Sequence, residues 1–364
     1  MTASPSWVQR TSPTVIAVAV AFAFAAGLLW LIDAPPLEAF RLVLDGAFGS
    51  TDRASATLLA WVPLVLASAG LVVTFNAGLW NIGVEGQIVM GAIAAALVAR
   101  IVPGPTAALI PLAIVAGVIG GGLWALLAGV LKTRFQVNEI FGGLGLDFVA
   151  AGFAIYLVIG PWAREGTAST SGTDLFRDET YMPTVEAFGT TWPLIPILIA
   201  LIAVVGVYFL LRGTLFGLRL KAVGKSPTSA FLLGIPTNRY LLSAFLIGGA
   251  LAGIAGSMQA VAFHHKLVPA ISGGYGFLGI LVVLLAGFDA KWIAPIALFF
   301  TMIATGSTQL DLRLGLDSAI GDVVQGQIVL FVVLGGGLAL WLRNRSASRR
   351  RKAVEVPSGE GQEE

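Results

Sequence analysis

The sequence contains no cysteine and few charged residues. Without cysteine the chain can form no disulfide, no thiolate metal site and no cysteine nucleophile. Only 12% of its 364 residues are charged, whereas a typical soluble domain has about 25%. Because 57% of the residues are hydrophobic, the composition excludes an ordinary soluble protein and indicates an integral membrane protein.

Long apolar segments recur along the whole chain. A helix needs about 20 predominantly apolar residues to cross a bilayer. The 45 glycines and 17 prolines are typical of membrane helices that pack closely and bend. The sequence predicts ten spans: Thr14–Ile32, Ala54–Phe75, Leu79–Ala99, Ala107–Leu131, Ile140–Trp162, Pro193–Leu211, Tyr240–Phe263, Gly276–Phe288, Trp292–Gln309 and Val323–Leu342.

Three of these spans are unusual. The first contains AFAFAAG, which resembles a signal-peptide cleavage site, but its long apolar stretch predicts an uncleaved helix. The third is interrupted by a polar motif. The eighth is only 13 residues long, which suits a broken or re-entrant helix inside the protein.

The distribution of lysine and arginine predicts the orientation, because these residues accumulate in cytoplasmic loops. Ten spans with both termini in the cytoplasm place most of the basic residues inside. The predicted layout has a cytoplasmic N-terminus (residues 1–13), a transmembrane domain (14–342) with an external loop (163–192) and a cytoplasmic loop (212–239), and a disordered tail (343–364).

The segment NAGLWNIGVEGQIVMG, residues 76–91, places polar side chains between two apolar spans. In hydrocarbon every backbone polar group needs a protein partner, so a glycine-rich break survives only where it lines a cavity or packs against helices. We interpret the segment as a hinge along a translocation pathway. Its candidate residues are Asn76, Asn81, Glu85 and Gln87.

Several of these polar side chains have alternative roles. Glu85 either lines the pathway or accepts hydrogen bonds near a helix start, where the helix dipole favours it. Asn81 and Gln87 either satisfy backbone groups or present amides to a solute. Asp147 lies inside the fifth span, so it is a candidate for the pathway or for an interhelical pair. We predict no metal site, because adjacent side chains such as His264 and His265 diverge on a helix.

The basic segment of residues 212–240 is too polar to span the membrane. Ser226 as a cap, Pro227 in the first turn and Gly234 at the end predict a short helix. Such a helix at the membrane surface would dock a cytoplasmic partner, and an amphipathic loop lying on lipid is the alternative. Residues 224–226 match the end of a phosphate-binding loop, but Arg219 stands where that motif needs glycine.

Four stretches carry a family resemblance: FNAGLWNIGVEGQIVMGA, GLRLKAVGKSPTSAFLLGI, LLSAFLIGGALAGIAGSMQAV and GYGFLGILVVLLAGF. From Ala54 to Leu342 the chain resembles the permease subunits of bacterial ABC importers, in the branch for simple sugars, branched-chain amino acids and nucleosides. NIGVEGQ most resembles the longer of two paired permeases in nucleoside importers. Asp147 departs from the asparagine that is usual in the family.

The resemblance implies an all-α membrane protein with a type II importer fold, about ten helices in two inverted repeats, and broken helices. It places an ATPase-coupling helix at Ser226–Gly234, with Ala230 inside it and Arg219, Ala222 and Gly224 leading into it. ATP and magnesium would bind to a partner subunit, so this chain would hold no cofactor. The implied location is the bacterial cytoplasmic (inner) membrane.

The same resemblance implies the partners. These are a cytoplasmic ABC ATPase, a paralogous second permease or a second copy of this chain, an external substrate-binding lipoprotein and membrane lipids, with no nucleic acid. The expected function is a non-enzymatic transport subunit for nucleosides or related sugar-containing solutes. Alternatives are a permease for simple sugars such as ribose, one for branched-chain amino acids, or an ion-coupled secondary transporter.

Overall fold

The structure is a computed structural model that describes residues 20–31, 34–164, 171–187, 189–315, 317, 319–331 and 334–335. The described residues are mostly helical. The helices are α1 Val20–Leu31, α2 Pro36–Phe48, α3 Thr51–Asn76, α4 Val84–Ile101, α5 Thr106–Phe135, α6 Glu139–Ile159, α7 Leu194–Gly213, α8 Leu215–Lys225, α9 Pro227–Leu232, α10 Thr237–Met258, α11 Tyr275–Leu285, α12 Ile293–Gly306, α13 Thr308–Leu314 and α14 Ala319–Phe331.

Seven helical segments of the described chain are long and apolar enough to cross a bilayer, and the bent pair α1 and α2 would add an eighth. The seven coincide with the second to seventh and the ninth predicted spans. The first, eighth and tenth correspond to the shorter helices α1, α11 and α14. Parts of the first and tenth spans, with residues 1–13 and 343–364, lie outside the described residues. The count of ten and the inverted repeats therefore stay predictions.

Helix α3 forms the core of the compact unit that comprises residues 41–318. Its apolar stretch is 83% buried, and α7, α10, α11 and α12 pack around it. The Ser50 hydroxyl accepts a hydrogen bond from the Arg53 amide at 3.2 Å, which caps the first turn. A helix buried on all sides needs no polar face, and the uniformly apolar sequence of α3 reflects this.

Glycines allow α4, α5 and α10 to cross at very short distance. A β-carbon at Gly253 of α10 would overlap the backbone of Gly117 in α5, and one at Gly91 of α4 would overlap the backbone of Gly253. Gly249 and Gly121 form a further contact of this kind. Close backbone approach replaces the hydrophobic effect as the source of helix association in lipid. The segment GGALAGIAG, residues 248–256, therefore serves close helix packing.

A two-stranded antiparallel hairpin precedes α7 and lies against the start of α3. Strands Val185–Ala187 (β1) and Thr190–Trp192 (β2) pair Glu186 with Thr191. The Ser55 hydroxyl donates to the Thr191 carbonyl at 2.6 Å. Neither this hairpin nor α2 was predicted from the sequence, because both are short.

The described residues within 1–40 and 319–364 form a separate compact unit. Within its described part, the rings of Phe24 and Phe331 lie 5.3 Å apart. The Gln327 side-chain amide donates to the Ala21 carbonyl at 3.4 Å. These contacts hold α1 against α14.

Candidate functional site

The polar motif forms a true break between α3 and α4. Residues 77–83 are not helical, and Gly78 has a φ of 76°, a left-handed conformation that favours glycine. The third span therefore begins at Val84, not at the predicted Leu79, because the break occupies the residues between. The predicted bend is confirmed, and a single straight helix is excluded.

The side-chain amides of Asn81 and Gln87 pair with each other inside the protein. Asn81 Nδ2 donates to Gln87 Oε1 at 3.0 Å, and Gln87 Nε2 donates to Asn81 Oδ1 at 2.9 Å. Both residues are 1% exposed. This double hydrogen bond ties the break to the first turn of α4 and leaves neither amide facing a solute in this conformation.

Asp147 of α6 caps the start of α4. Its Oδ1 atom accepts a hydrogen bond of 2.7 Å from the backbone amide of Gly86, one of the amides that has no partner within the helix. A β-carbon at Gly86 would lie 2.8 Å from this oxygen, so glycine permits the close approach. Of its two predicted roles, the geometry matches the interhelical one.

Glu85 caps a different helix from its own. Its Oε1 atom accepts a hydrogen bond of 3.3 Å from the backbone amide of Phe277, in the first turn of α11. Gly276 lies directly on the start of α4, since a β-carbon there would be 2.9 Å from the Glu85 backbone nitrogen. Gly274 begins α11 with a φ of 76°.

Helix α11 is a half-helix. Its 11 residues extend about 16 Å at 1.5 Å per residue, about half of a bilayer core. The prediction that the eighth span is a broken helix tucked inside the protein agrees with this length and with the buried positions of Gly276, Gly279, Val282 and Val283.

Three buried polar atoms of this group and its neighbour Trp124 have no hydrogen-bond partner in the described structure. They are Glu85 Oε2, Asp147 Oδ2 and Trp124 Nε1. Trp124 Nε1 would lie 3.0 Å from a β-carbon at Gly86, so the indole reaches the same point as the Asp147 carboxyl group. Among the described residues, no three His, Cys, Asp or Glu side chains lie together as a metal site would require.

Asn76 lies apart from this cluster. Its Nδ2 atom donates to the Val72 carbonyl at 2.8 Å and to the Phe288 carbonyl at 3.1 Å. It therefore joins the end of α3 to the link between α11 and α12. The five predicted pathway residues thus divide into a buried group of four and this separate one.

The short helix predicted at this position is present as α9, Pro227–Leu232. The Ser226 hydroxyl accepts from the Ser229 amide at 3.2 Å, Pro227 occupies the first turn, and Ala230 is buried. Gly234 follows the helix with a φ of 77°. Phe231, Leu232 and Leu233 are 67%, 80% and 79% exposed.

Helix α8 connects α9 to the break. A β-carbon at Gly224 would overlap the Asn76 carbonyl oxygen and would lie 2.9 Å from the Gly78 backbone nitrogen. Ala222 accepts the Ser226 amide at the end of α8, and the Arg219 guanidinium lies 3.5 Å from the Tyr240 hydroxyl.

Sequence reasoning missed three parts of this site. Trp124 and Phe277 received no role, and Arg219, Ala222 and Gly224 were predicted to lead into the coupling helix without being assigned to a helix of their own, α8. For α8 a signal exists, because Leu220 and Val223 are buried and stand three residues apart on one helical face. For Trp124 and Phe277 no local signal exists, since Phe277 meets Glu85 and Trp124 approaches Asp147 only through the tertiary packing.

A multi-pass helical protein with a broken span, a half-helix and buried polar side chains has the architecture of a membrane permease. The chain belongs to the family described as "Branched-chain amino acid transport system / permease component", whose model matches residues 53–333.

Curated relatives agree with this assignment. The glucose ABC transporter permease protein TsgB13 of Haloferax volcanii is 30% identical, covering 90% of this chain and 88% of the relative. The guanosine permease NupP of Bacillus subtilis is 29% identical (89% and 94%), and the nucleoside permease NupB of Lactococcus lactis is 25% identical (94% and 95%). The chain is therefore an ABC transporter permease.

Proposed function

We propose that this chain forms the translocation pathway of an ATP-driven importer for nucleosides or related sugar-containing solutes. The observation that carries the energy coupling is the exposed apolar surface of α9, formed by Phe231, Leu232 and Leu233. Consecutive exposed apolar side chains on a short capped helix suit a protein contact better than water. We assign this contact to a cytoplasmic ATPase subunit, which would bind ATP and Mg²⁺.

A second permease and an external lipoprotein would complete the importer. Both NupP and NupQ, two guanosine permease proteins of Bacillus subtilis, are similar to this chain. This favours a paralogous partner over a second copy of the chain. The basic residues of α8 and its flanks support a cytoplasmic position for the coupling helix, within the bacterial cytoplasmic membrane.

Reconstitution tests the energy coupling. The chain is placed in proteoliposomes with its ATPase, second permease and lipoprotein, and uptake of labelled guanosine is measured. We expect uptake that requires ATP, and none from the chain alone under an ion gradient. Gradient-driven uptake by the chain alone, indifferent to nucleotide, would contradict the proposal and favour a secondary transporter.

A simple sugar is the second candidate solute, because TsgB13 is a glucose permease by name. Competition separates the two candidates. If nucleosides are the solutes, unlabelled guanosine should abolish uptake of the labelled compound and glucose should not. Calorimetry on the purified lipoprotein gives an independent answer, since that subunit would bind the solute without the permease.

We further propose that the break of residues 77–83 and the start of α4 act as the hinge of the pathway. The support is a pair of trans caps, meaning helix caps supplied by a different helix: Asp147 of α6 caps α4, and Glu85 of α4 caps α11. A movement of α4 would therefore displace both neighbouring helices. The same contacts would let the break respond to α8, which touches it at Gly224.

The substitution Glu85→Gln tests this hinge. The amide retains an acceptor oxygen for Phe277 but changes the buried carboxyl group, so we expect strongly reduced uptake with normal subunit assembly. Glu186→Gln is the matched control, because Glu186 is exposed in β1 and surface substitutions of this kind usually change stability by less than about 0.5 kcal/mol. Normal uptake by the Glu85→Gln variant would remove the motif from the mechanism.

A further inference from the structure

A polar cavity of about 230 Å³ lies where the C-terminal ends of α3 and α7 meet α8 and the link between α11 and α12. Its lining includes Asn76, Tyr208, Arg212, Lys221 and Asp289. The hinge and the coupling helix do not use this cavity, although α8 forms one of its walls.

Positive charge exceeds negative charge at this cavity. The Arg212 guanidinium lies 2.8 Å from Asp289 Oδ2, and the Lys291 ammonium lies 3.5 Å from the same oxygen. The Lys221 ammonium donates to the Leu211 carbonyl at 2.8 Å and forms no ion pair within the described chain. Two cations therefore share one carboxylate, and Lys221 adds a third positive charge.

Neighbouring groups hold these cations in position. The Arg212 guanidinium stacks over the Tyr208 ring at 5.3 Å from its centroid, which fixes the orientation of its donor groups. Lys291 lies 5.5 Å from the centroid of the Trp292 ring. An arginine fork beside a lysine ammonium and a phenol is an arrangement that suits phosphate oxygens.

We propose that this cavity binds a phosphate group, and that the group belongs to the headgroup of an anionic phospholipid. Helix α7, which carries Arg212, has an apolar surface, because Val205 and Phe209 are 52% and 61% exposed in a segment long and apolar enough to cross a membrane. Acyl chains against α7 would place their headgroup at its C-terminal end. Basic pockets between helices and beside aromatic residues bind such headgroups.

The proposal is independent of the transported solute and of the hinge. It is tested on the full chain purified in detergent, by titrating phosphatidylglycerol and measuring bound lipid by native mass spectrometry. The double substitution Arg212→Gln with Lys221→Gln should weaken phosphatidylglycerol binding about tenfold, because it removes charge-assisted hydrogen bonds. Phosphatidylcholine binding should not change.

The matched control is Lys225→Gln with Arg239→Gln. Both residues are exposed at the same end of the protein and lie outside the cavity lining, and the control removes the same charge. Equal loss of phosphatidylglycerol binding in the control would overturn the proposal by showing a general charge effect. Unchanged binding in the cavity variant would overturn it as well.

Asp289→Asn should change lipid affinity in the opposite direction, and a misfolded variant would not show such an increase. Removing the competing carboxylate should tighten phosphatidylglycerol binding, and weaker binding would contradict the proposal.

Competition with inorganic phosphate distinguishes a lipid headgroup from a free anion. Displacement of the lipid by millimolar phosphate would support the phosphate site and add a free anion as a second ligand. Loss of ATPase association with unchanged lipid binding would assign the cavity to a protein contact and overturn the proposal.

Discussion

Two short, glycine-containing segments interrupt the apolar helices: the break between α3 and α4, and the proposed coupling segment formed by α8 and α9. They differ in burial. The break is buried, and its polar side chains pair with each other or with neighbouring helix starts. The coupling segment exposes Phe231, Leu232 and Leu233. A buried break can move only with its neighbours, whereas an exposed helix is free to bind a partner.

The two regions touch at one place, where Gly224 lies against the backbone of residues 76–78. A displacement of α9 can therefore reach the break through α8 without a flexible linker. Beyond the break, Glu85 joins α4 to α11, and Asp147 joins it to α6. Four substitutions test this comparison. The effect on stability should be largest in the glycine packing of α10 and smallest on α9.

Gly253→Leu should have the largest effect. The side chain would overlap the Gly117 backbone and separate α10 from α5, so we expect loss of folded protein at a cost of about 3 kcal/mol or more. The measurement is the yield and thermal unfolding of the detergent-purified chain. Gly206→Leu is the control, because nothing lies within 4 Å of a β-carbon at that α7 position. Similar behaviour of the two variants would show that close glycine packing does not stabilise this core.

Gly224→Ala should have the next largest effect, and it tests the contact between the two regions directly. A methyl group there would push α8 away from the break, with an expected cost of about 1 to 3 kcal/mol. We expect the importer complex to assemble and hydrolyse ATP while solute uptake is lost.

The control for this uncoupling is Gly213→Ala. It adds the same methyl group at the end of α7, where the nearest atom, in Phe209, would be 3.9 Å away. Coupled uptake that survives in the Gly224→Ala variant would show that α8 does not transmit movement to the break.

How much of these two regions can be predicted from the sequence depends on how far apart along the chain the interacting residues lie. The cap of α9 uses Ser226 and Ser229, three residues apart, so local patterns place this helix correctly. Membrane spans are also local, because each is a continuous apolar stretch of sufficient length. Consequently the seven long helices and the short helix α9 follow from the sequence alone.

The trans caps do not follow from the sequence. Glu85 bonds a residue 192 positions away, and Asp147 one 61 positions away. The capping preference of a carboxyl group is predictable, but the helix it caps depends on which helix starts the fold brings together. For this reason the two roles considered for Glu85 and for Asp147 could not be separated beforehand.

Asp147→Ala should have an intermediate effect and sharpens the interpretation of the buried region. The Gly86 amide would lose its buried acceptor, at a cost of about 1 to 3 kcal/mol. Asp147→Asn keeps an acceptor oxygen and should therefore retain most of the stability. Thermal unfolding in detergent provides the measurement. If alanine and asparagine destabilise the chain equally, the hydrogen bond to Gly86 is not what holds α6 to α4.

Leu232→Ser should have the smallest effect on stability, within about 0.5 kcal/mol, because the side chain is 80% exposed. Its effect on association with the ATPase should be much larger, about tenfold, since a leucine buried at an interface contributes about 1.5 to 3 kcal/mol. Co-purification with the ATPase subunit measures this, with Leu218→Ser as the control, an exposed leucine on α8. An unchanged ATPase complex in the Leu232→Ser variant would mean that α9 faces lipid. The break and the coupling segment would then differ in burial only, and α9 would have no role in coupling.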